Sequence, residues 1–148
     1  MTKASTLLGL ISLATIAACA GSPANDPTGA ANRNVAALPT NITLAPGAGI
    51  EVDRAGLNIR FDSIATDSRC PSDVQCVWAG EAVAVLTVSQ LSGDLSARLV
   101  SLSTTPGKDT TTVYGQPLKL LKVTPATLSS VAIPKAAYRI ELQVGAPK

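Results

Sequence analysis

The sequence predicts an all-β fold, a small antiparallel β-sandwich or barrel of about seven to eight strands with one disulfide-closed loop. Three observations carry this. Short segments alternate apolar and polar residues with a period of two. The residues between them are Gly, Pro and Asp, which favour turns. No convincing stretch of helical spacing accompanies them.

Taken in order, the first candidate strands are residues 42–44 and 49–52, separated by Pro46-Gly47. Leu57, Ile59 and Phe61 then alternate with Asn58, Arg60 and Asp62, which gives one buried and one wet face. The run VAVLTV at 83–88 is apolar on both faces and reads as a central strand buried on each side. Residues 95–102 and 118–123 follow, set off by Ser92-Gly93-Asp94, Pro106-Gly107-Lys108 and Val113-Tyr114-Gly115. Residues 126–132 (ATLSSVA) have room for one helical turn. The last strand is the clearest: Tyr138, Ile140, Leu142 and Val144 alternate with Arg139, Glu141 and Gln143.

The N-terminus has a different character. Lys3 supplies one positive charge, and an apolar run of ten residues, LLGLISLATI, follows at 7–16. That layout is a signal peptide, because a membrane-spanning helix needs about 20 residues. The tetrapeptide Ile16-Ala17-Ala18-Cys19 resembles the lipobox of bacterial lipoproteins. The resemblance implies cleavage before Cys19 and lipidation of its thiol. Residue 20 is Ala, not Asp, which favours the outer membrane where the host has one. The chain thus divides into a signal peptide at 1–18, a lipidated Cys19 with a Pro-, Ala- and Asn-rich tether at 19–39, and a β-domain at 40–148. About 20 residues of coil reach roughly 25 Å, enough to lift the domain off a membrane.

Composition narrows the function. The chain has 12 Lys+Arg against 10 Asp+Glu, and loss of Lys3 with the leader leaves the rest nearly neutral. No run of basic residues offers a surface for phosphates, so nucleic acid is not expected as a partner. Histidine is absent, which removes the commonest general base and the commonest transition-metal ligand. There is no G-x-S-x-G elbow either. The expected class is therefore non-enzymatic, with no cofactor, and the expected partners are the membrane, through the lipid, and another envelope protein.

Three cysteines are an odd number, and assigning Cys19 to lipid leaves Cys70 and Cys76. In an oxidising compartment these two should pair. So short a closed loop contributes about 2.4 kcal/mol in the chain-entropy model, which shapes the loop more than it supports the fold. Trp78, the single tryptophan, is expected to pack over the disulfide or under the loop, with Gly80 marking a tight bend. The string DSRCP-x4-CVWAGEA resembles a signature of small bacterial lipoproteins and secreted proteins of uncharacterised role. That resemblance implies the β fold and the disulfide, and no activity.

The candidate binding loop comprises Asp67, Arg69, Asp73, Trp78 and Glu81. Two further readings start from it. A rigid loop opening Arg69-Cys70-Pro71 suits a protease-inhibitor-like module, since preorganisation lowers the cost of binding. Asp62, Asp67, Asp73 and Glu81 together suggest a calcium-dependent or hydrolytic domain. Against calcium, the spacing is not that of an EF-hand, and Arg60 and Arg69 stand ready to neutralise the acids. The simpler expectation is that Asp67 caps the loop through its backbone and pairs with Arg69.

Overall fold

The computed structural model describes residues 33, 34, 37–93 and 96–145. The signal segment, Cys19 and most of the tether lie outside the described residues. The fold is all-β, two sheets packed as a sandwich and not closed into a barrel. One sheet has the order β1-β3-β4-β5-β6 and the other β2-β9-β8-β7. Their strands are β1 (Arg33–Asn34), β2 (Thr40–Leu44), β3 (Gly49–Val52), β4 (Leu57–Asp67), β5 (Ala82–Gln90), β6 (Arg98–Ser103), β7 (Thr110–Val113), β8 (Gln116–Thr124) and β9 (Arg139–Val144). All pair antiparallel except β1, two residues from the segment read as tether, which lies parallel beside β3.

Alternation explains the core. Leu57, Ile59 and Phe61 of β4, Ala82, Ala84, Leu86 and Val88 of β5, and Ile140, Leu142 and Val144 of β9 are all buried between the sheets. Phe61 is fully buried, a contribution of about 2–3 kcal/mol. Central placement of β5 between β4 and β6 agrees with its apolar run. Its second face, with Val83, Val85 and Thr87, is only half-buried, since among the described residues no second layer covers the outer side of that sheet.

Between β7 and β8, Tyr114 (φ 51°) and Gly115 (φ 76°) join Val113 to its partner Gln116. Two left-handed residues in a two-residue loop suit the twist of the flanking strands. Residues 126–132 do not form a helical turn. Leu128 and Val131 instead bridge across a tight turn, and among the described residues helical backbone appears only as short 3-10 turns at Asp53–Ala55 and Lys135–Ala137.

Strand β2 starts at Thr40, which pairs with Val144, while Leu44 pairs with Ile140. Its start is thus at the end opposite the Cys70–Cys76 loop, which leaves β4 at Asp67 and rejoins β5 at Ala82.

Candidate functional site

The last third of β4 departs from simple alternation. Register shifts between Phe61 and Ser63, and again between Ile64 and Thr66, bend the strand and carry Asp67 to the end of the sandwich. The β4–β5 pairing continues past the strands, with Ser68 N–H donating to Glu81 O (2.8 Å) and Cys70 N–H to Ala79 O (2.8 Å). Gly80 sits there at φ 65°, and a Cβ on it would lie 1.7 Å from Ser68 O. Only glycine fits this crossing. Beyond it the Cys70–Cys76 disulfide closes the tip.

A second loop, from Pro125 to Tyr138, lies beside the first and is stitched to it. Ser72 N–H donates to Thr127 O (2.9 Å), and the Thr127 hydroxyl donates to Cys70 O (3.2 Å). The Asp73 carboxylate accepts from Ser129 N–H (2.9 Å) and from the Ser129 hydroxyl (2.6 Å). These bonds explain why 128–131 turns back on itself, since Asp73 caps the turn from outside.

Beneath the two loops lies a polar brace. Arg69 donates from Nε to Asp67 Oδ1 (2.8 Å) and from Nη2 to Asp67 Oδ2 (2.7 Å), a bidentate pair. The same guanidinium donates to Val123 O (2.7 Å) and Pro125 O (2.9 Å). Tyr138 completes the arrangement, its hydroxyl donating to Asp67 Oδ2 (3.0 Å). The side chains of Arg69 and Asp67 are only 16% and 8% exposed. Three of these five polar contacts, to Val123 O, Pro125 O and Tyr138, tie the end of β4 in one sheet to the ends of β8 and β9 in the other. The Arg69 guanidinium holds the Asp67 carboxyl below its ordinary range, against burial, which pushes the other way. Burial pushes the Tyr138 phenol up, and the bond to Asp67 adds to this.

The remaining acids point elsewhere. Glu81 accepts from the hydroxyls of Ser103 (2.5 Å) and Thr105 (2.9 Å), and these with Lys108 hold its carboxyl low. The Ser129 hydroxyl and N–H do the same for Asp73. Asp62 stays on the outer face of its sheet, paired with Arg60 (2.8 Å) and accepting from Thr87 (2.6 Å). Each of the four carboxylates thus has its own donors. Among the described residues no three of His, Cys, Asp or Glu gather in one place.

The end of the sandwich shows solvent several large apolar side chains among polar ones such as Ser72, Asp73, Gln75 and Ser130. Trp78 does not pack on the disulfide. It is 81% exposed, and its neighbour Val77 is 91% exposed. Beneath them the Ser68–Glu81 and Cys70–Ala79 backbone hydrogen bonds hold the two arms of the loop together. Val74, Leu128 and Val131 are exposed on the same two stitched loops. An apolar hollow of about 160 Å³, lined by Pro125, Leu128, Val131 and Ile133 among others, opens in the second loop.

Of the predicted binding residues, Asp67 and Arg69 are internal supports, the exposed Asp73 and the half-buried Glu81 pin neighbouring loops, and Trp78 projects outward. Sequence reasoning missed Tyr138 as the third member of the brace and the 125–134 loop as half of the surface. No local signal marks either, because Tyr138 lies 71 residues from Asp67. No family model matches this chain, and no curated protein or solved structure matches it.

Proposed function

We propose that this chain is a lipid-anchored protein of the bacterial envelope that acts as a non-enzymatic binding module. Its contact surface is the braced end of the sandwich, with Trp78 and Val77 at the centre and Leu128 and Val131 beside them. The observation that carries the reading is the outward Trp78 on a loop fixed by a disulfide, by the Asp73–Ser129 bonds and by the Asp67–Arg69–Tyr138 brace. A large aromatic held rigidly in water is costly unless something covers it, and rigid aromatics are the usual anchors of interfaces. Burying Trp78 would order little more of the chain, so most of the apolar gain is available to binding.

Anchoring comes from the lipobox-like Ile16-Ala17-Ala18-Cys19. Partner chemistry is then a protein surface with an apolar cleft, in the same envelope compartment. The buried guanidinium of Arg69 is not free to enter a protease cleft, which weighs against an inhibitor working through that side chain.

The test has two arms. Cys19→Ala should move the protein from the membrane to the soluble fraction and abolish palmitate labelling without unfolding it. Affinity capture from solubilised envelope should recover a protein with the wild type and lose it with Trp78→Ala. Retention of label by Cys19→Ala refutes the anchor, and capture indifferent to Trp78 refutes the surface.

A further inference from the structure

Strand β6 is the last strand of its sheet, and among the described residues no strand pairs with its outer edge. Hydrogen-bond parity shows which groups face out. Thr104 N–H donates inward to Ala82 O (3.0 Å), whereas Ser103 N–H donates away from β5 to Lys108 O (2.9 Å). Because antiparallel pairing alternates, the N–H and C=O groups of Leu99 and Ser101 also point away from β5. Among the described residues nothing donates to them or accepts from them. Strand β7 leaves the edge uncovered, with a hollow of about 340 Å³ lined by Ser101, Ser103, Lys108 and Thr110 between the two.

The other edges are guarded. Strand β3 is covered by β1, β2 runs five residues between Pro39 and Pro46, and β7 is four residues long. By contrast β6 pairs with β5 over six residues with no register shift. It has no proline, and no charge between Leu99 and Ser103. Leu99, its second residue, is 78% exposed. Soluble proteins normally blunt such a strand.

We propose that β6 pairs antiparallel with β6 of a second copy of this chain, making one continuous sheet across a two-fold axis. The occupant follows from the strand itself. An isologous pairing centred on Val100 sets Leu99 opposite Ser101 of the other copy, and Ser101 opposite Leu99, so that the outward N–H and C=O groups of these two residues meet those of the second copy. The same register sets the two Leu99 side chains diagonally across the pair, within reach of each other, so each copy covers the leucine the other exposes. The interface is separate from the Trp78 surface and independent of its function.

Val100 would face Val100 of the second copy as a pair with no hydrogen bond between them, about 4.5 Å apart at Cα, close enough for a disulfide. The test uses full-length Val100→Cys protein in a Cys19→Ser background with a mild oxidant, read on a non-reducing gel. Most of the chain should become a covalent dimer. Leu121→Cys, on the outer face of the other sheet, should stay monomeric, and adding Leu99→Lys should cut dimer yield roughly tenfold. Sedimentation of the protein without the added cysteine checks the result independently of folding at position 100. It should dimerise with concentration, and Leu99→Lys should stay monomeric. A monomeric Val100→Cys protein, or a dimer indifferent to Leu99→Lys, overturns the proposal. So does a wild type that sediments as a monomer at all concentrations, the outcome expected if a strand of another protein takes the edge.

Discussion

Arg69→Ala is the change that most directly probes how the exposed end is held. It deletes the guanidinium that donates twice to Asp67 and once each to Val123 O and Pro125 O. The Asp67 carboxylate, 8% exposed, keeps only Tyr138 and the backbone N–H of residue 69. Breaking a buried pair by removing one partner costs about 3–5 kcal/mol. Arg69 is 16% exposed, so water reaches part of the gap and the low end, about 3 kcal/mol, is the appropriate figure. A domain of about 105 residues unfolds with an entropy near 0.22 kcal/mol/K, so Tm should fall by about 14 °C in calorimetry. Removing both charges with Asp67→Asn and Arg69→Met together should cost less than the two single changes summed, by about 1.5 kcal/mol or more, because neither variant charge is left alone. A Tm drop under about 3 °C for Arg69→Ala, or strict additivity in the cycle, would refute the brace as the support of this end.

Gly80→Ala forces a Cβ to 1.7 Å from Ser68 O at a left-handed backbone, and should lower stability by about 2 kcal/mol or more in urea unfolding. Trp78→Ala should change stability by less than about 0.5 kcal/mol in the same assay, since the side chain is 81% exposed, while it removes partner capture. Stability should also depend on acid. Asp67 has a carboxyl pKa lower in the folded chain than its unfolded value of about 3.9, so its contribution is complete above that value and is lost as pH falls through the folded one. Denaturation midpoints should therefore be level from about pH 7 to 5 and decline below about pH 4, and Arg69→Ala should flatten that decline.

The strands with plain alternation were legible, and the rest was hidden for identifiable reasons. Leu57, Ile59 and Phe61 announce β4, but its bulges put Ile64 and Thr66 out of step, so the pattern stops six residues before the strand ends at Asp67. Strand β7 went unread because three of its four residues are threonines and only Val113 is buried. Cys70 and Cys76 were readable from cysteine count and compartment. The orientation of Trp78 was not, because local sequence is the same whether an indole covers a disulfide or leaves it. That is decided by the Ser68–Gly80 crossing beneath the tip and by the 125–138 loop, both of which depend on contacts distant in sequence.

A single tryptophan makes the central claim directly measurable by fluorescence of the intact protein. Trp78, 81% exposed, should emit as a water-exposed indole and be freely quenched by acrylamide. Adding solubilised envelope should then shift the emission to the blue and protect it, and Arg69→Ala should weaken that response by loosening the support. A blue-shifted, quencher-resistant indole in the isolated protein, or an exposed one that envelope leaves unchanged, would contradict it.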